Sequence, residues 1–150
     1  MSRGRHLSTE IAIDAPAETV WRHLTDFDSF PQWNPFIRRA AGSLEPGTRI
    51  DVELQLGKRA RRFRPTVTVV EPPRELRWLA RIGFPRVFDV ERVFQIVPGE
   101  PGHVQFRQSE TCTGILAPVL FAGGRLERDI LAGYAALNDA LRLRAERDAA

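Results

Sequence analysis

The sequence predicts an α+β domain: a curved antiparallel sheet of six to seven strands gripping a long C-terminal helix, with two short helices after strand 1. Three observations predict it. Apolar residues recur with a period of two across most of residues 50–106, the spacing of half-buried strands. Leu126, Ile130, Tyr134, Leu137 and Leu141 then recur four, four, three and four apart, one stripe on a helix. The connections between the strand runs are short, which permits hairpins and excludes crossover helices.

Taken in order, Glu10, Ile11, Ala12 and Ile13 alternate at the end of a first strand over His6 to Ile13. Asp14-Ala15-Pro16-Ala17-Glu18 follows as a helix start. Pro16 suits the first helical position, and Glu18 suits the positive end of the helix dipole. Val20, Trp21 and Leu24 form that helix's apolar side, and a second helical piece spans Asp28 to Trp33, stopped by Pro35.

Ile50, Val52, Leu54 and Leu56 alternate with polar residues, and Phe63, Pro65, Val67 and Val69 repeat the period. After the Pro72-Pro73 turn, so do Leu76, Trp78, Ala80 and Ile82. Phe88, Val90, Phe94 and Ile96 mark the next strand, with Arg92 on the same face. Pro98-Gly99-Glu100-Pro101-Gly102 closes a hairpin, and Val104 and Phe106 continue the return strand. Centring that hairpin near residue 100 sets Phe94 against Phe106, Arg92 against Gln108, and Arg92 diagonal to Glu110. The final helix is expected from about Phe121 to Arg144, with Gly123-Gly124 as a weak point.

These elements make one domain, residues 1–150, large enough to build a core without metals or disulfides. The inward strand residues are bulkier and more numerous than one helix stripe covers closely. A cavity of a few hundred Å³ between helix and sheet is therefore expected, in the range of small-molecule pockets.

Composition narrows the function classes. Cys112 is the only cysteine, so an internal disulfide is excluded. The net charge is +3, and all but one of the 22 basic residues are arginine, Lys58 being the exception. We read that bias as coding composition rather than as the mark of an anionic partner. The start, MSRGRHLSTE, carries no signal-peptide pattern, and no apolar run is long enough to cross a bilayer. The expectation is a cytoplasmic protein without a transmembrane segment.

Phe63, Val67, Trp78, Phe88, Phe94 and Phe106 are the candidate lining of the cavity, with Tyr134 facing them from the helix. The same side chains would serve ordinary core packing, and in a hollow domain the two roles overlap. Trp33, Asn34 and Pro35 could frame the cavity mouth; alternatively Trp33 plugs the end of the sheet and Asn34 caps a turn. Arg92, Gln108 and Glu110 share the inward parity of Phe94 and Phe106. Polar groups there are costly unless paired, so they form either a structural ion pair or a polar anchor for ligand.

The basic run Lys58 to Arg64 reads as a solvated turn between strands; only Phe63 interrupts it, which is a poor match to a nucleic-acid or anionic-lipid surface. His6, His23 and His103 are far apart, with no metal-ligand spacing. Nucleophile-elbow, Walker and dinucleotide-binding motifs are absent. No metal or cofactor is predicted, and a partner nucleic acid ranks below a small hydrophobic ligand.

Several segments resemble one family. Ile13-Asp14-Ala15-Pro16, followed by Val20-Trp21 and Leu24-Thr25-Asp26, is similar to the first strand and helix of polyketide cyclase/dehydrase-like proteins. These belong to the START-like, or helix-grip, superfamily. Phe30-Pro31-Gln32-Trp33-Asn34-Pro35-Phe36 resembles that family's aromatic-Pro-x-Trp-Asn-Pro stretch, and Glu71 to Trp78 its fourth-to-fifth strand turn. Glu110 to Pro118 resembles its last strand entering the long helix, and Asn138-Asp139-Ala140-Leu141 a common helix ending.

The resemblance implies a cavity for lipids, sterols or polyketides, with a minority of members catalysing cyclisation or dehydration. Family members often carry a histidine where Arg92 stands, so no catalytic residue is transferred. Three functions stay open: a binding protein for a hydrophobic or amphipathic ligand, a cyclase or dehydratase in the same cavity, and an interaction module using the exposed sheet or the basic loop. In the second, Glu110 or Tyr134 would be the acid/base, with Arg92 stabilising an enolate or carboxylate.

Overall fold

Alternating sequence becomes two antiparallel sheets wrapped around one helix. The computed structural model describes residues 4–150. Strand β1 (Arg5–Ile13) leads into α1 (Ala17–Thr25). Pro16 stands just before that helix rather than at its first residue, its carbonyl accepting the amides of Thr19 and Val20. A 3-10 turn over Phe27–Ser29 runs into α2 (Phe30–Trp33), the second helical piece.

Seven strands follow: β2 (Ile37–Ala41), β3 (Asp51–Leu56), β4 (Arg59–Phe63), β5 (Thr66–Glu71), β6 (Glu75–Ile82), β7 (Phe88–Pro98) and β8 (Val104–Thr113). Then come the short α3 (Ala117–Leu120) and the long α4 (Arg125–Ala149). The larger sheet has the order β1-β8-β7-β6-β5 and the smaller β2-β3-β4. A bridge between Arg49 and Thr66 joins them, supported by Ile50 N–H to Pro65 O at 2.9 Å and Val67 N–H to Thr48 O at 2.8 Å. Helix α4 packs on β1, β3 and α1. This is the helix-grip arrangement, with β2 as the strand that sequence periodicity does not reveal.

Three local expectations are corrected. The basic run is not a loop: Arg59–Phe63 is β4, paired with β3, and the turn is confined to Gly57-Lys58. As the edge of the small sheet it buries little, so it lacks an apolar alternation, and its charges guard the edge against further pairing. Val69 does not share the face of Val67. A bulge between them turns Val70 inward opposite Leu76 and leaves Val69 opposite Arg77. Finally, the last helix does not begin at Phe121. Gly123 and Gly124 adopt φ of 79° and 78°, a left-handed conformation that only glycine takes cheaply, and α4 starts at Arg125 and runs on to Ala149.

The stripe on α4 performs as spaced. Ile130, Tyr134, Leu137 and Leu141 are buried, joined by Asn138 and Ala145. Among the described residues, no helix is long and apolar enough to cross a membrane.

Candidate functional site

The concave face of β7 and β8 carries Phe88, Arg92, Phe94 and Ile96 against Val104, Phe106, Gln108, Glu110 and Cys112, all buried. Their hairpin register differs from the sequence expectation by two residues. Gly99 N–H bonds to His103 O and His103 N–H to Glu100 O, so the loop centres on residue 101 and Pro98 lies opposite Val104. Ile96 therefore faces Phe106, Phe94 faces Gln108, and Arg92 stands directly opposite Glu110 rather than diagonal to it. A shift of two preserves side-chain parity, so every inward residue stays inward.

Arg92 is 2% exposed and organises the site. Its Nη2 donates to Gln108 Oε1 at 2.7 Å, while Nη1 lies 3.8 Å from Glu110 Oε1, an ion pair too long for a hydrogen bond. The guanidinium carbon sits 4.8 Å from the Phe36 ring centre, 4.9 Å from Phe94 and 4.7 Å from Tyr134. Three rings thus supply cation–π stabilisation where water is excluded. Gln108 Nε2 donates onward to Asn138 Oδ1 at 2.8 Å and to the Tyr134 carbonyl at 3.3 Å, and Asn138 Nδ2 donates to Thr9 Oγ1 at 3.1 Å. The chain of bonds fixes α4 to the sheet through β8 and β1.

Two Arg92 nitrogens, Nε and Nη1, have no hydrogen-bond partner among the described residues, and the Tyr134 hydroxyl interacts with the Glu110 carboxyl without meeting strict hydrogen-bond geometry. The Glu110 carboxyl is pushed above its ordinary range, chiefly because burial disfavours the charged form, with Arg92 pulling the other way. Burial likewise pushes the Cys112 thiol and the Tyr134 hydroxyl up, so neither is a ready nucleophile or base.

An apolar cavity of about 80 Å³ opens beside this cluster. Its walls are Val52, Leu54 and Leu56 of β3, Phe63 of β4, Trp78, Ala80 and Ile82 of β6, and Phe88 and Val90 of β7. Leu126 and Ile130 of α4 and the Phe36 ring close it, while Arg92, Glu110 and Cys112 supply its polar wall. It is smaller than the few hundred Å³ the sequence predicts. The filler is Phe36, carried in by the unanticipated β2 region and packed edge-to-face on Tyr134 with ring centres 5.7 Å apart.

Of the sequence-predicted residues, Phe63, Trp78, Phe88, Arg92 and Glu110 meet at this cavity. Gln108 and Tyr134 lie behind Arg92, holding it by hydrogen bond and ring face. Phe94 meets Trp78 edge-to-face and stacks on Phe106, and Val67 and Phe106 are fully buried. Trp33 stands elsewhere: its Nε1 donates to Ser29 Oγ at 2.9 Å, and Arg144 of α4 lies over its ring. Asn34 caps its turn, Oδ1 accepting the amides of Phe36 and Ile37 at 3.0 and 2.8 Å. Sequence reasoning missed Phe36 and Asn138. Asn138 did give a signal, being a polar residue four after Tyr134 on the apolar stripe. No group of three or more His, Cys, Asp or Glu among the described residues is placed to hold a metal.

Two expected results arise here. Gly133 faces Phe36 so closely that an added Cβ would meet the ring at 2.2 Å. Gly133→Ala should therefore displace Phe36 and destabilise the fold by about 1–3 kcal/mol, the usual cost of overpacking, read by chemical denaturation. Glu110 supplies the second. With its native carboxyl raised above the ordinary 4.5, the folded state binds more protons than the unfolded one above that pH. Stability should fall as pH rises from that value through the native pKa. Glu110→Gln should flatten that slope in denaturation curves taken across pH; an unchanged slope would show that Glu110 is not its source.

The family model described as polyketide cyclase / dehydrase and lipid transport matches residues 5–146. The chain matches none of the curated proteins in sequence. Among solved structures it resembles the ZhuI aromatase/cyclase of Streptomyces sp. R1128, with a TM-score of 0.78 at 16% identity, covering 97% of this chain and 95% of that one. A START superfamily protein of Mycobacterium smegmatis follows with a TM-score of 0.70 at 21% identity, over 95% and 97% of the two chains. A norcoclaurine synthase of Thalictrum flavum gives 0.69 at 14% identity, over 100% and 99%. At identities this low the superpositions show a shared fold alone.

Proposed function

Because the chain belongs to the polyketide cyclase/dehydrase and lipid transport family, we propose that it binds a small hydrophobic or amphipathic ligand, such as a lipid, polyketide or aromatic metabolite, between α4 and the sheet. The observation that carries this reading is a buried guanidinium in the wall of an apolar cavity, two of its nitrogens lacking a hydrogen-bond partner among the described residues. Leaving such donors unsatisfied costs free energy that a ligand oxygen would recover. A carbonyl, phenolate or carboxylate oxygen suits Arg92, and the Glu110 carboxyl, which burial pushes above its ordinary range, can donate to the same group when it is protonated.

In this reading Arg92 and Glu110 anchor the polar end, and Phe63, Trp78 and Phe88 cover the apolar body. Gln108 and Tyr134 orient Arg92, Val67, Phe94 and Phe106 form the rigid floor, and Trp33 braces α2 against α4. A drug-sized ligand needs a pocket of about 300 Å³ or more, so binding must swing Phe36 aside or part α4 from β3. No metal or cofactor enters this reading, and we assign the protein to the cytoplasm.

The test is a thermal-shift panel of fatty acids, aromatic polyketide mimics and their esters. Acids and phenols should raise Tm more than the matching hydrocarbons. A panel in which nothing raises Tm, or in which the hydrocarbons do as well, would refute the anchored-ligand reading.

One observation favours an enzyme as the second reading. A buried carboxyl raised in pKa at a cavity wall is suited to general-acid work on a carbonyl held by Arg92. Turnover of a poly-β-ketone mimic that is lost in Glu110→Gln, with ligand affinity retained, would establish it; the same turnover in both proteins would remove Glu110 from the chemistry.

A further inference from the structure

The end of the molecule where the cavity reaches the surface is apolar in a way the core does not explain. Phe84 is 81% exposed, Ile115 76% and Val119 69%, and Leu116 and Leu120 are exposed beside them. They come from two segments held together by backbone bonds: Ile115 N–H to Arg86 O and Leu116 N–H to Val87 O, both at 3.0 Å. Gly114, with φ of 114°, has no room for a Cβ, which would lie 2.5 Å from Val87 O. The two segments are therefore locked in one surface rather than splayed. Contiguous exposed apolar side chains of this size mark an interaction site.

Charge identifies the partner. Leu120 shares a surface groove of about 560 Å³ with Lys58, Arg59, Arg61 and Arg125, against a single acid, Asp129. Arg81 and Arg86 are exposed on the segment that carries Phe84. None of these six basic side chains is in an ion pair among the described residues. That contrasts with Arg62 and Arg64 on the same basic run, which pair with Glu53 and Asp51. Leu56 and Leu126 belong to both this groove and the cavity wall, so the basic groove borders the cavity entrance.

We propose that this end of the protein docks on an anionic lipid surface, Phe84, Ile115 and Val119 entering the interface while the unpaired basic residues meet the headgroups. The side chains project singly from a loop, a turn and one short helix, a form that suits a fluid interface better than the matched relief of a folded acidic protein. Apolar insertion and basic attraction act together at such surfaces. Docking here would present the cavity entrance to the membrane. The proposal stands apart from the ligand reading, because vesicle binding is measured with no ligand added.

The experiment is co-sedimentation of the full chain with phosphatidylcholine vesicles, with and without phosphatidylglycerol. Wild type should bind the anionic vesicles, weaken as salt rises, and bind neutral ones poorly. One basic residue near such a surface contributes about fivefold in partitioning, so K58S/R59S/R61S should lose on the order of a hundredfold. F84S/I115S/V119S should lose binding at low salt as well, and both variants should melt as wild type does, since the side chains changed are exposed. F84W offers a readout with the surface intact: its added fluorescence should shift to the blue on anionic vesicles. Wild type left in the supernatant, variants that bind like wild type, or no blue shift would each overturn the proposal. So would capture of an acidic protein, abolished in K58S/R59S/R61S, by a chain that ignores vesicles.

Discussion

Replacing Arg92 by leucine should destabilise the protein by about 3–5 kcal/mol, the cost of breaking a buried pair by removing one partner. The loss has three parts. Gln108 Oε1 loses its donor, three rings lose the cation between them, and Glu110 loses the one charge that holds its carboxyl down. Arg92→Lys should recover little of it. An ammonium keeps the charge but cannot lie flat against Phe36, Phe94 and Tyr134 while reaching Gln108.

The double variant Arg92→Leu, Glu110→Met should regain much of the stability, because well-packed apolar residues often replace a buried ion pair without loss. It also separates structure from binding. If the double variant folds but no longer responds to acids and phenols in the thermal-shift panel, Arg92 and Glu110 anchor the ligand. If it responds like wild type, they serve the fold alone. A single Arg92→Leu variant within 1 kcal/mol of wild type would sink the energetic argument altogether, since that is below the cost of one orphaned buried acceptor, about 1–3 kcal/mol.

The sequence legibly carried the features governed by period. Alternation placed Phe88, Arg92, Phe94, Phe106, Gln108 and Glu110 on one face, and helical spacing placed Tyr134 opposite them. The hairpin register was off by two, yet the polar cluster survived, because parity and not register decides which face a strand residue occupies. Features set by non-local contact were less legible. Phe36 enters the cavity because Asn34 Oδ1 caps the turn that launches β2, a bond invisible to periodicity. Asn138 reads as a polar break in a stripe until β1 brings Thr9 beside it. Strand β4 has no buried face to create a pattern. The cavity's volume was least legible, since it depends on how deeply one ring, Phe36, settles against Gly133 and Tyr134.

Tyr134→Ala should cost about 3–5 kcal/mol, the range for truncating a large buried aromatic. Tyr134 is fully buried, and its ring meets Phe36 and Arg92 together. Its hydroxyl contributes less than its ring: it interacts with the Glu110 carboxyl without meeting strict hydrogen-bond geometry, and burial keeps the group neutral. Tyr134→Phe should therefore sit close to wild type, which isolates the ring as the source of the loss. The void left by alanine would adjoin the existing space of about 80 Å³ across Phe36 and Arg92. That void, walled by the Phe36 ring and the Arg92 guanidinium, has the shape and chemistry to accept a small aromatic molecule in place of water. Phenol or p-cresol should therefore raise the Tm of Tyr134→Ala and leave wild type nearly unchanged, with p-cresol better because its hydroxyl and methyl groups retrace the tyrosine side chain. Rescue that persists in Tyr134→Ala, Arg92→Leu would show that ring packing suffices, whereas its loss would show that the guanidinium recognises the ring. Absence of rescue by either compound would mean that the helix collapses onto the sheet once Tyr134 is gone, and that the interior is not a space built to open.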